Sequence, residues 1–92
     1  MKYYDKACEI YTLWHLNIKP HVKQEISALF ELGIGEIKND CQKRNYTEAL
    51  TIVRVLINGF NKEDYKSKKW GPDASKIFEK LNDLEKELSN TG

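Results

Sequence analysis

The chain has 92 residues, a mass of 10.8 kDa and a formal net charge of +1, with 40% apolar and 32% charged residues. This size predicts one globular domain over residues 1–92 and excludes large catalytic architectures. The 15 basic and 14 acidic side chains are spread evenly over both halves, so neither half is typical of a basic arm or an acidic tail. The N-terminus lacks the apolar core of a secretory signal, and no run approaches the roughly 18 apolar residues of a membrane span. We therefore expect a cytoplasmic protein without membrane insertion.

The first predicted helix is unusually aromatic on one side. Its apolar positions recur at spacings of three and four and share one side of a helix that ends near Pro20; they are Tyr4, Ala7, Cys8, Tyr11, Trp14, His15 and Ile18. Cys8 and the second cysteine, Cys41, both occupy positions where the helical pattern requires an apolar side chain. We expect two buried free thiols rather than one disulfide.

A second helix is predicted from Pro20, which suits a first helical turn, to Cys41. Gly33 and Gly35 interrupt its interior, where glycine costs about 1 kcal/mol relative to alanine. Because Gly33 falls on the apolar face, the pattern favours close packing of another helix at this point. The alternative is a break or kink that divides the segment into two shorter helices.

The third helix has a clear start signal, with Asn45 as N-cap and Glu48 three residues later. Its body is almost entirely apolar, so we expect it at the centre of a bundle, ending at Asn58-Gly59. A polar connection over residues 61–71 precedes a last helix that begins after Gly71-Pro72-Asp73 and keeps one apolar face through about Leu88. No segment alternates like a strand. The sequence thus predicts an all-α fold, an antiparallel bundle of four or five helices.

The residue types that carry chemistry are sparse and badly spaced. The soft and imidazole ligands Cys8, His15, His21 and Cys41 are separated by seven, six and twenty positions, whereas zinc ligands usually come in close pairs. No cysteine or serine shows a spacing to histidine that suggests a nucleophile. We expect no catalytic residues, no metal site, no cofactor and no small-molecule substrate, and hence a chain that is not an enzyme.

One stretch combines positive charge with aromatic rings and supplies the candidate binding residues Tyr65, Lys66, Lys68 and Lys69. This combination can hold phosphates and stack bases. The neighbouring Glu63 and Asp64 dilute the charge, and the balanced total charge argues against nucleic acid. We expect these residues to form a solvated loop that meets a protein partner, with Trp70 anchored in the core.

Several short motifs follow one another in the order of a known helical domain. They are Pro20-His21-Val22-Lys23, the run Asn45-Tyr46-Thr47-Glu48-Ala49-Leu50-Thr51-Ile52 continuing to Leu56, then Trp70 and Lys76-Ile77-Phe78. From about Pro20 onward the chain resembles the helical domain shared by the steroid receptor RNA activator protein and the C-terminus of the large outer-coat subunit of COPII vesicles. The resemblance implies a non-catalytic interaction or scaffold domain, in the coat case one that serves transport from the endoplasmic reticulum to the Golgi.

An alternative function also fits a small helical domain with its own apolar core. Bacteriocin immunity proteins and small antitoxins are all-α bundles of similar length that bind and block a partner. The sequence carries none of their specific motifs. Both hypotheses predict a protein partner and differ in what that partner is.

Overall fold

The computed structural model describes residues 2–66 and 70–90 and shows an all-α bundle. Its four helices are α1 (Lys2–Leu13), α2 (Gln24–Gln42), α3 (Tyr46–Lys62) and α4 (Ala74–Ser89). Each helix packs against the next along the chain, and α1 also packs against α4. The short connections make consecutive helices antiparallel. The predicted fold class is confirmed, with four helices in the ranges that the structure describes.

The connection between α1 and α2 is a distorted continuation of α1. A π-helical turn over Trp14–Ile18 leads into a 3-10 turn over Lys19–His21. Pro20 lies in that 3-10 turn, and the chain becomes extended at Val22 before α2 begins. The expectation that Pro20 opens the second helix is therefore wrong, because this extended residue separates proline from the helix.

Two glycines allow α2 and α3 to approach closely. A Cβ atom at Gly33 of α2 would lie 2.8 Å from Cδ2 of Leu56, and one at Gly59 of α3 would lie 3.0 Å from the ring of Phe30. Real Cβ atoms are essentially never found at the first of these distances, so a larger residue at Gly33 would displace the Leu56 side chain. Helix α2 is continuous through Gly33. The predicted close packing at Gly33 is therefore confirmed, and the alternative, a break that divides the segment into two helices, is wrong.

The two ends of α3 differ from their predicted chemistry. Asn45 occupies the N-cap position, and its backbone oxygen accepts a hydrogen bond from the Ala49 N–H at 3.0 Å, but its side chain makes no capping bond. The helix also passes Asn58 and ends at Lys62. The last turn extends because Gly59 packs under Phe30 and the next residue, Phe60, is fully buried.

Aromatic side chains from different elements meet at one end of the core. Trp14 lies 5.3 Å from Phe30, 6.2 Å from Phe60 and 6.4 Å from Trp70, measured between ring centroids. Trp70 is only 3% exposed, so its predicted place in the core is confirmed. Asn17 Nδ2 in the π-helical turn donates a hydrogen bond to Asp73 Oδ2 at 2.6 Å. This bond ties the turn after α1 to the residue that precedes α4.

Candidate protein-binding groove

An apolar cleft of about 390 Å³ and a polar cleft next to it, which share Glu36 and Ile52, together form a groove on the outer surface between α2 and α3. Its walls include Leu29 and Leu32 on α2 and Val55 on α3, which are 71%, 62% and 61% exposed. Its floor includes Phe30 and Leu56, which also belong to the core. A single exposed leucine or valine is ordinary on a protein surface, but three exposed aliphatic side chains in one concave apolar site mark a surface that binds another molecule.

Both helices line this α2–α3 groove with residues at regular helical spacing. The α2 residues include Ile26, Leu29, Gly33, Glu36, Asp40 and Lys43. The α3 residues include Glu48, Ile52, Val55, Gly59 and Lys62. Spacings of three and four keep each set on one side of its helix. Glu36 and Ile52 line both the apolar cleft and the polar cleft next to it. The groove therefore follows the long axes of both helices.

The two ends of the groove differ in charge. Where α2 ends and α3 begins, the lining contains three carboxylates and one ammonium group, those of Glu36, Asp40, Glu48 and Lys43. We call this the acidic end. The opposite end carries Lys62 and Glu63. Within residues 2–66 and 70–90, the three carboxylates of the acidic end form no ion pair with another side chain.

Tyr65 and Lys66, the two predicted binding residues that the structure describes, are not among the residues that line this groove. Tyr65 is only 6% exposed, and its ring lies 5.5 Å from that of Phe60 and 5.0 Å from that of Phe78. Lys66 is exposed. Lys68 and Lys69 lie outside the described residues. The Tyr65 ring thus contributes to the core, and the binding role of this loop stays a prediction.

The sequence contains a signal for the groove, namely an α3 with more apolar residues than the core uses. The almost wholly apolar body of α3 predicts a helix at the centre of the bundle. That prediction is wrong: α3 packs against α2 and α4, and Val55 remains exposed. Only part of its apolar surface is used by the core, through residues such as Ala49, Val53 and Phe60. The remaining apolar surface of α3 lines the groove, together with Leu29 and Leu32 of α2.

The cysteines and histidines are placed apart from the groove. Cys41 is a buried free thiol, as expected, whereas Cys8 is only half-buried. Burial raises the pKa of the Cys41 thiol to about 11, so the thiol stays protonated and is a poor nucleophile at neutral pH. His15 Nδ1 lies 3.6 Å from Glu31 Oε1 and its ring stacks on Tyr11.

The described residues contain neither a cluster of metal ligands nor a membrane-spanning helix. Among residues 2–66 and 70–90, no three His, Cys, Asp or Glu side chains are grouped so that they could hold a metal ion. No helix in these ranges combines the length and the apolar character needed to cross a membrane.

No protein-family model, curated protein or solved structure matches the chain. The resemblance to the coat-subunit domain therefore stays a prediction, as does the immunity-protein alternative. The predicted absence of enzymatic activity also stays a prediction. The groove between α2 and α3 is the feature on which a functional argument can rest.

Proposed function

We propose that the chain is a non-catalytic, cytoplasmic protein-binding domain whose α2–α3 groove receives the apolar face of a helix from a partner protein. The observation that carries the proposal is the exposure of Leu29, Leu32 and Val55 in one concave site. Transfer of apolar surface from water contributes about 25 cal/mol per Å² buried. A partner that covers these side chains gains this free energy without any change in the core.

A helix suits the groove better than an extended segment. Two adjacent helices form a furrow into which the side-chain ridge of a third helix can pack. The lining of α2 runs from Ile26 to Lys43, a length of about 25 Å at 1.5 Å per residue. This length accommodates about 17 helical residues of a partner. An extended peptide would find no unpaired backbone to bond, because both walls are helical.

Both hypotheses from the sequence require a protein-binding surface. A coat-type scaffold domain would use it for assembly, and an immunity or antitoxin-like protein would use it to block a toxic partner. The groove supports what the two have in common, the binding of another protein. It does not favour one partner over the other.

A designed helical peptide tests the proposal directly. The probe has about 18 residues, leucines at helical spacing on one face and only alanine and glutamine elsewhere. Titration of the isotope-labelled chain, followed by nuclear magnetic resonance, should shift the amide signals of residues that line the groove. Leu29→Glu should weaken binding by about tenfold or more, because a carboxylate buried in an apolar site loses its hydration.

Leu16 provides a matched control because it is 66% exposed and is absent from the groove lining. Leu16→Glu introduces the same charge on a similarly exposed leucine and should leave binding unchanged. Equal weakening by both substitutions would contradict the proposal. So would a free chain that light scattering shows to be a dimer with its groove amides protected, because the occupant would then be a second copy.

A further inference from the structure

We infer that the partner helix carries basic residues in its last turn and lies with that turn over the acidic end of the groove. This inference rests on the proposed function and adds the chemistry and the direction of the partner. Its starting point is the uneven charge along the groove, apolar at the centre and rich in carboxylates where α2 meets α3.

The acidic end is a continuation of the apolar groove, which makes it available to the same ligand. Glu36 borders both clefts, and Asp40 follows it one helical turn later on α2. Glu48 faces them from the first turn of α3. Among the described residues that line the acidic end, Lys43 is the one cation, and it offsets one of the three negative charges. A ligand that reaches this end therefore meets an excess of two carboxylates.

These carboxylates are free to accept a ligand's cations. Several other acidic side chains already pair with a cation of another element, among them Glu31 with Lys19, Glu85 with Arg54, Glu87 with Lys6 and Glu9 with Lys80. The three at the acidic end form no such pair in the ranges that the structure describes. Lysine or arginine of a partner would meet them without breaking an existing contact.

The direction of the partner follows from its own stability. Lysine and arginine in the last turn stabilise a helix, because they lie near the partial negative charge of its C-terminus. Their full positive charges also outweigh that partial charge, which would otherwise be repelled by the carboxylates of the groove. If that basic turn lies over Glu36, Asp40 and Glu48, the partner runs parallel to α2 and antiparallel to α3. Its apolar side chains then cover Leu29 and Val55.

Three designed peptides separate this inference from the proposed function. They share the leucine face of the neutral peptide above and carry three lysines, three glutamines or three glutamates in the last turn. We expect the lysine peptide to bind about tenfold more tightly than the glutamine peptide at about 50 mM salt, and the glutamate peptide more weakly. The advantage of the lysine peptide should largely disappear at about 500 mM salt.

A matched pair of variants tests which carboxylates are responsible. Glu36→Gln with Asp40→Asn should remove most of the preference for lysine. Glu79→Gln with Asp83→Asn removes the same two residue types at the same spacing on α4 and should leave the preference intact. A spin label at the lysine end should broaden the amide signals of Glu36, Asp40 and Glu48 more than those near Ile26.

The outcomes distinguish helix binding in the groove from the preference for a basic last turn at its acidic end. If all three peptides bind equally and Leu29→Glu weakens all of them, the groove binds helices but the inferred charge preference is overturned. If the lysine peptide binds best but its label broadens signals near Ile26, the inferred direction is overturned. If no peptide binds, the proposed function fails and this inference fails with it.

Discussion

At the scale of single residues, Gly33 and Gly35 stand two positions apart in α2 but have different surroundings. A Cβ at Gly33 would lie 2.8 Å from Leu56 Cδ2, whereas a Cβ at Gly35 would meet nothing within 4 Å. Both glycines reduce helix stability by about 0.5–1 kcal/mol relative to alanine. Only at Gly33 does packing across the helix pair oppose the substitution.

We predict that Gly35→Ala raises the free energy of unfolding by about 0.5–1 kcal/mol. Gly33→Ala should be less stable than Gly35→Ala by about 1 kcal/mol or more, because Leu56 must move to make room for the added methyl group. Urea unfolding followed by circular dichroism measures both values. Equal stabilisation by the two substitutions would mean that α2 and α3 do not approach as closely as described.

At the scale of helices, three ion pairs between described residues connect α1 and α4, one of them between Lys2 Nζ of α1 and Glu87 Oε1 of α4 at 3.4 Å. Lys6 of α1 pairs with Glu87 of α4, and Lys80 of α4 pairs with Glu9 of α1. The hydrogen bond from Lys6 lowers the pKa of the Glu87 carboxyl, and the hydrogen bond from Lys80 lowers the pKa of the Glu9 carboxyl. Both carboxyl groups thus give up their protons more readily in the folded chain than in the unfolded chain.

The direction of these pKa shifts determines how acid acts on the bundle. A carboxyl whose pKa is lowered by folding stabilises the folded state above its unfolded pKa, about 4.3 for glutamate. This stabilisation is lost as the pH falls through the lower, folded pKa. We predict that the urea concentration at the unfolding midpoint decreases as the pH is lowered from about 5 to about 3. The double substitution Glu9→Gln with Glu87→Gln should make this decrease smaller.

A matched control replaces two glutamates that form no ion pair within the described ranges. Glu25→Gln with Glu79→Gln should leave the slope of midpoint against pH close to that of the unchanged chain. The same flattening in both double variants would show that overall charge, rather than the α1–α4 contact, determines the response to acid.

The sequence pattern predicts where the helices lie in the chain better than it predicts which side of each helix is covered by another helix. The α4 face from Ala74 to Leu88 is buried as the spacing required, because that helix has a single apolar side. For α3 the same reasoning failed, since apolar side chains occur on more than one side and periodicity does not show which side another helix covers. Exposure of Val55 depends on where α2 and α4 lie. The groove therefore required the packed structure.

The sequence predicts a solvated loop around Tyr65, but the Tyr65 side chain is buried. Tyr65 follows the pattern of a polar loop, with charged residues before and after it. Its ring is nevertheless buried between Phe60 and Phe78. A polar composition predicts that a segment is exposed on average. The burial of a single aromatic ring depends instead on whether neighbouring side chains leave space for it in the core.

At the scale of the whole molecule, the aromatic cluster joins parts of the chain that are distant in sequence. Trp14 comes from the turn after α1, Phe30 from α2, Phe60 from α3, and Trp70 from the segment before α4. The rings of Phe30 and Phe60 each lie within 6 Å of Trp70, at 5.9 Å and 5.6 Å between centroids. Loss of any one element therefore exposes rings held by the others.

This arrangement predicts cooperative, two-state unfolding. The two tryptophans of the chain are both in the cluster, so tryptophan fluorescence reports its disruption while circular dichroism reports the helices. The two signals should give the same urea midpoint and the same dependence on urea. Trp14→Phe keeps an aromatic ring and leaves Trp70 as the single fluorophore, and its fluorescence and circular dichroism should again coincide with each other. A fluorescence transition at lower urea than the loss of helix would contradict cooperativity, since it would mean that the segment around Trp70 separates from a bundle that is still folded.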